Sequence, residues 1–278
     1  MKTRLLVLLC VAASHLVAGD FTGQIGLQLY SLRDSFKQDV PGSLDKVKAL
    51  GITEVELGGL YGKTPAEMLA LLKERGLVAV GGHYQYAALE KDVAASVAEA
   101  KELGLKYVAV PWIPHPITGF HEATCRQAIA DFNAWGAAFA DAGIRFAYHP
   151  HGFEFLRHGA GRMLDLLISE TKPEVVSFEM DVYWIVQAGQ DPVAWLEKYP
   201  GRWSLMHLKD LRKGAPVGLP PKLSAKTNQV PVGTGVVDWP AVLRAAAKVG
   251  VKHYFLEDES PTVEVQLPQS VRYLQGLK

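Results

Sequence analysis

The chain has 278 residues, is 49% hydrophobic, and carries 29 basic against 29 acidic side chains. This composition excludes a disordered chain, and charge neutrality removes the electrostatic case for nucleic acid or an anionic membrane surface as partner. The length suits one barrel-sized domain or two smaller ones.

Residues 1–19 read as a secretory signal peptide. Lys2 and Arg4 form the positive start, Leu5 to Ala13 the apolar run, and Leu16-Val17-Ala18 a small-residue cleavage site. The run is too short to span a bilayer and no later run is long enough, so no membrane contact is expected after signal removal. A lipoprotein reading through Cys10 is weaker, because Leu9 precedes the cysteine where a small residue is needed. Cleavage leaves Cys125, which excludes an intrachain disulfide and reads as a buried apolar side chain in the helix around ATCRQAIADF. The expectation is a secreted or periplasmic protein with one domain, residues 20–278.

Eight β-branched apolar runs then follow in order: Ile25 to Leu32, Ile52 to Gly58, Leu77 to Tyr84, Lys106 to Trp112, Ile144 to His151, Val175 to Val182, Trp203 to Asp210 and Lys252 to Glu259. Between them lie helical segments such as GSLDKVKALG, TPAEMLALLKERG and WPAVLRAAAKVG, several ending in the glycine that favours an αβ turn. Eight such units predict an α/β fold, a closed (β/α)8 TIM barrel. A doubly wound open sheet is the alternative, but no strand is followed by GxGxxG or GxxxxGK[ST]. Arg212 to Val230, rich in Pro, Gly and Lys, reads as a long loop after strand seven, a candidate lid.

In a barrel, alternate strand residues point inward and chemistry collects at the C-terminal ends. If Ile144, Phe146 and Tyr148 face the helices, then Ala147, His149 and His151 face in. The same phase turns Ser177, Glu179 and Asp181 inward on strand six, Leu205, His207 and Lys209 on strand seven, and Phe255, Glu257 and Glu259 on strand eight. Four consecutive strands thus aim carboxylates or imidazoles at one end. Singly, each has an ordinary reading: a strand-end histidine as hydrogen-bonded filler, Glu179 paired with Arg145 in the barrel, Asp210 and Asp258 as caps of the following turns. Together, several buried carboxylates require a cation or a shared proton. Mixed oxygen and nitrogen donors suit one divalent metal ion, Mn, Zn, Co or Mg.

The barrel pattern with HPHGFEF, MDVYW, MHLKDL, VPVGTGVVDWPAVL and FLEDE resembles the sugar phosphate isomerase/epimerase, or xylose-isomerase-like, TIM-barrel superfamily, from GLQLYSLRD to the C-terminus. The resemblance implies one divalent metal held by Glu, Asp, His and Glu from successive strands. Asp181, His207 and Glu257 match three of these positions. Strand five has His149 where many members have Glu, so Glu154 is taken as the fourth ligand, with His149 or His151 as alternatives.

Such a site would stabilise the enediolate formed when a proton α to a carbonyl leaves. His151 or His149 is the candidate base, Glu257 or Glu259 its partner, and Lys209 a donor to the developing oxyanion. Glu56 and His83 are candidates for holding sugar hydroxyls, and Trp112, Tyr183 and Trp184 for flat faces under a sugar ring. The reaction expected is isomerisation, epimerisation or elimination on an unphosphorylated keto-sugar or keto-glycoside, a small-molecule partner. The rivals are a non-catalytic sugar-binding barrel and an endonuclease-IV-like AP endonuclease. Export and neutral charge count against the latter. The oligomeric state is not legible.

Overall fold

Eight parallel strands pair into a closed ring: β1 (Ile25–Gln28), β2 (Glu54–Leu57), β3 (Val78–His83), β4 (Tyr107–Val110), β5 (Arg145–Tyr148), β6 (Val176–Asp181), β7 (Trp203–Leu208) and β8 (His253–Leu256), with β8 closing onto β1. The structure, a computed structural model, describes residues 21–116, 119–219 and 225–277. The expected signal peptide lies outside these residues. No helix among them is long and apolar enough to cross a membrane.

The helices follow from local chemistry. In α1 (Val40–Ala49) Asp39 caps the first turn through Gly42 N, and in α2 (Pro65–Glu74) Thr64 and Glu67 form a reciprocal capping box behind Pro65. Then come α3 (Tyr86–Glu102), α4 (Glu122–Asp141), α5 (Met163–Glu170), α6 (Val182–Gln187), α7 (Pro192–Lys198), α8 (Trp239–Val249) and α9 (Val263–Gln275). Gly250 ends α8 in the left-handed region that a β-carbon disfavours. Gly136 in α4 has another role: a β-carbon there would lie 2.8 Å from Val175 O, so its absence lets the helix approach the start of β6.

The alternation read from the sequence holds. Phe146, Tyr148, Val176, Phe178, Met180, Met206, Leu208, Tyr254 and Leu256 belong to the large cluster between barrel and helices. Ala147, Leu205 and Phe255 join Val80 and Ala109 in a second, small cluster that fills the barrel. Cys125 is buried and free, as expected, and burial pushes its thiol up to about 12.

Strand ends differ from expectation where a polar side chain takes over a backbone group. β1 stops at Gln28 rather than Leu32 because the Gln28 side chain accepts from Tyr30 N and starts a 3-10 turn. β5 stops at Tyr148, before Pro150, so His149 and His151 stand on the loop above the strand. The loop after β7 is anchored at its base, where Asp210–Leu211 pairs antiparallel with Gln229–Val230. Asp210 does more than cap a turn: it accepts from Gly233 N, Gly235 N and Trp239 Nε1, tying the VPVGTGVVDW segment down.

Candidate metal centre

Register sets the site. Asp181 on β6 pairs with His207 on β7, and His207 with Phe255 on β8, so Glu257 emerges on the same inner face two residues later. His149 comes off the end of β5 beside them. One donor atom from each of His149, Asp181, His207 and Glu257 lies within 4.8 Å of all the others, and all four residues are buried. His83, His149, Glu179 and His207 form an overlapping group on the same criterion, one layer deeper. Lys209 Nζ closes the upper layer, 2.9 Å from Glu257 Oε2 and 2.9 Å from Glu259 Oε1; the other oxygen of Glu259 lies 3.0 Å from Lys226 Nζ.

The electrostatics are those of crowded, buried charge. Burial, reinforced by Glu257 and opposed by Lys209, pushes the Asp181 carboxyl up to about 7. Burial would also raise Glu257, but Lys209 and His207 hold it well below the usual carboxylate range. Burial would lower His207, yet Glu179 and Glu257 outweigh it and hold the imidazole well above its ordinary value. His149 goes the other way, down to about 4, because burial dominates and the neighbouring His207 adds to it.

The residues present fit a divalent ion. Asp181 Oδ2 is buried and has no hydrogen-bond partner. Around it stand Lys209 Nζ at 3.7 Å, His149 Nε2 at 3.8 Å and His207 Nδ1 at 3.9 Å. These distances are too long for hydrogen bonds and suit donors spaced around a common centre. A buried carboxylate oxygen of this kind is compensated by a proton or by a cation, and the surrounding donors leave room for an ion to serve. Two imidazole nitrogens and two carboxylates match zinc, manganese or cobalt at least as well as magnesium.

Not every residue singled out in the sequence reaches this centre. Glu154 does not: its carboxyl accepts from the Tyr148 hydroxyl and from His151 N at 3.1 Å, on the helix side of the barrel wall. Tyr148 belongs to the outward phase of β5, and the turn at Gly152 (φ 98°) carries Glu154 to that side. His149 takes the place beside Asp181 instead. Glu56 is fully buried beneath the site, bonded to Gln28 Nε2 at 2.8 Å and His207 Nε2 at 2.8 Å, so it is not presented to a sugar hydroxyl. His83 sits between Glu56 Oε2 at 3.3 Å and Glu179 Oε2 at 2.9 Å, likewise below the centre. Glu179 meets these histidines and not Arg145, whose guanidinium binds the backbone carbonyls of Pro173 and Glu174.

Tyr183 is fully buried, with Lys209 Nζ 5.6 Å from its ring, and offers no open face. Trp112 does, being 43% exposed. It stacks on His115 with centroids 4.9 Å apart and meets His151 edge-on at 5.5 Å. Trp184 also neighbours His151, at 5.2 Å, and its Nε1 is buried without a partner. His151 Nδ1 lies 3.3 Å from His149 O. Donation to that carbonyl leaves Nε2 with the lone pair. Sequence reasoning missed two members of the surroundings. Gln28 was within reach, because it stands in the inward phase of β1. His115 was not, because it lies on an irregular loop where alternation says nothing.

The fold and this cluster define a TIM barrel whose strands carry, at their C-terminal ends, a group of donors that could hold a metal ion. The family model described as "Xylose isomerase-like TIM barrel" matches residues 44–277, and the chain belongs to that family. Inosose dehydratase of Clostridium botulinum is 23% identical over 268 residues, spanning 85% of this chain and 88% of that protein. The inosose dehydratase of Clostridium beijerinckii is 25% identical over 193 residues, spanning 61% of this chain and 63% of its own length. Among solved structures, a sugar phosphate isomerase/epimerase from Parabacteroides distasonis superposes with a TM-score of 0.76 at 24% identity, covering 95% of this chain and 98% of that one. The IolI protein with a binding zinc atom superposes at 0.72 with 11% identity, covering 91% and 96%.

Proposed function

We propose that this barrel is a divalent-metal-dependent enzyme that removes a proton α to the carbonyl of an unphosphorylated keto-sugar or keto-glycoside, leading to isomerisation, epimerisation or elimination. The observation that carries this reading is Asp181 Oδ2, buried without a hydrogen-bond partner among His149, His207 and Lys209. His149, Asp181, His207 and Glu257 would hold the ion. When bound, it supplies Lewis-acid stabilisation of the enediolate oxygens. Zinc in the IolI neighbour and the dehydratase and isomerase/epimerase names of the relatives support that chemistry.

The chain's own groups divide the remaining work. His151 Nε2, its tautomer set by the His149 carbonyl, takes the α-proton. Lys209 Nζ, held by Glu257 and Glu259, donates to the substrate oxygen that gains charge. Trp112 and Trp184, both packed against His151, give the ring an apolar platform and exclude water from the base. Glu257 and Glu259 neutralise Lys209, and Glu259 also engages Lys226, which leaves neither ammonium unpaired to receive the phosphate of a phosphorylated sugar. The signal-like residues 1–19 agree with an unphosphorylated, extracytoplasmic substrate and with secretion or a periplasmic location.

The test is solvent deuterium wash-in to a 3-keto-glucoside, with metal analysis of the same preparation. One bound divalent ion, exchange that stops on chelation, and loss of exchange in Asp181→Asn are expected. A metal-free protein that exchanges no keto-sugar overturns the proposal. Tight sugar binding without exchange would make the barrel a sugar-binding protein instead.

A further inference from the structure

Beneath the proposed centre lies a second polar layer that the reaction does not touch: Glu56, His83, Glu179 and Gln28, on β2, β3, β6 and β1. We infer that Glu179 and Glu56 are positioning residues that decide which nitrogen of His149 and of His207 faces the metal. The inference rests on reading the upper layer as a metal centre and adds the carboxylates that orient its imidazoles.

Both rings span the two layers, in opposite orientations. His149 Nδ1 lies 3.1 Å from Glu179 Oε2, while its Nε2 points up toward Asp181 Oδ2 at 3.8 Å. His207 Nε2 lies 2.8 Å from Glu56 Oε2 and 3.2 Å from Glu179 Oε1, while its Nδ1 faces Glu257 Oε2 at 3.3 Å and Asp181 Oδ2 at 3.9 Å. Each imidazole therefore spans the two layers, one nitrogen in each. An ionised carboxylate only accepts, so the lower nitrogen of each ring carries hydrogen, and an ion bound above would take the upper nitrogen, at His207 in place of the Nδ1–Glu257 hydrogen bond. Carboxylates behind metal-bound histidines set orientation and ligand basicity in this way.

The lower carboxylates are themselves held. His83 Nε2 bridges Glu56 and Glu179 at 3.3 and 2.9 Å, and Gln28 Nε2 donates to Glu56 at 2.8 Å. Gly81 leaves room for Glu56, since a β-carbon there would lie 3.3 Å from Glu56 Oε1. Full burial of Glu56, Glu179 and His207 excludes bulk water as a substitute partner. The alternative use of these groups is a second ion among His83, His149, Glu179 and His207. Direct contacts of 2.8 to 3.2 Å between the ring nitrogens and the carboxylates favour shared protons over an ion between them.

The experiment uses the full chain loaded with Zn²⁺ and labelled with 15N-histidine. Two-bond proton–nitrogen correlations should show His149 bound through Nε2 with hydrogen on Nδ1, and His207 bound through Nδ1 with hydrogen on Nε2. Competition with a chromophoric chelator should give one Zn²⁺ per chain, with affinity weakened about 10–100-fold in Glu179→Gln and in Glu56→Gln. Glu179→Asp should recover part of that loss. Reversed tautomers, wild-type affinity in both glutamine variants, or two Zn²⁺ per chain overturn this inference alone. A wild-type chain that binds no Zn²⁺, Mn²⁺ or Co²⁺ overturns the metal reading and this inference with it. The tautomer measurement needs only the wild-type protein, so it stands even if a variant does not fold.

Discussion

The Tyr148 hydroxyl donates to the carboxyl of Glu154 on the helix side of the barrel wall, away from the four donors gathered inside. That pairing turns Glu154 from a candidate ligand into a staple for the HPHG turn, because the same carboxyl accepts from His151 N.

The staple makes a pH-dependent prediction. Burial, opposed by the Tyr148 and backbone hydrogen bonds, raises the Glu154 carboxyl from 4.5 to about 7. The folded protein then holds a proton that the unfolded chain has released between those values. The contribution to stability is complete below about 4.5, declines as pH rises, and is gone above about 7. Glu154→Gln, which mimics the neutral carboxyl, should be matched to wild type at low pH and more stable by about 1–3 kcal/mol above neutrality. Thermal melts of both proteins from pH 4 to 8 check this. A parallel loss of metal affinity in Glu154→Gln would return Glu154 to the ligand sphere.

Asp181→Asn and His207→Ala should each abolish stoichiometric metal binding, and with it turnover, because each removes one of four buried donors. Equilibrium dialysis against the divalent ion measures the loss directly, and wild-type metal content in either variant would refute their place in the centre.

Among the described residues Lys209 is the one lysine that is fully buried, and its charged partners are Glu257, Glu259 and Asp181. Lys209→Met keeps the volume and removes the charge, leaving carboxylates without their partner. About 3–5 kcal/mol of stability should be lost. Chemical denaturation checks the stability. A fall of 100-fold or more in kcat at unchanged metal content would show that the ammonium also serves the reaction.

Trp112→Ala removes an exposed platform and little core. The melting temperature should shift by less than about 2 °C, while KM for a ring substrate rises and kcat stays the same, as expected for uniform binding. A fall in kcat with unchanged KM would place Trp112 in the transition state and not on the binding platform.

Gly136→Ala should destabilise by about 1–3 kcal/mol, since the added carbon would sit 2.8 Å from Val175 O, a backbone atom with no freedom to move aside. Denaturant titration reads the difference; a neutral result would mean that α4 can shift.

Periodicity by itself determined the barrel and which residues look inward, because a two-residue repeat translates directly into faces of a strand. Thus Asp181 and His207 were legible before any coordinates, each in phase with apolar neighbours on a strand, and Glu257, one residue past β8, keeps the phase of that strand. Once the chain turns away beyond the strand end, that rule fails. Whether Glu154 or His149 joins the centre depended on the left-handed turn at Gly152, which swings the carboxyl outside the wall. The depth of Glu56 and His83 was likewise hidden, because alternation assigns a face but not a layer. Only the register between neighbouring strands, fixed by barrel closure and its stagger, decides which inward side chains reach the mouth and which lie beneath it supporting the others.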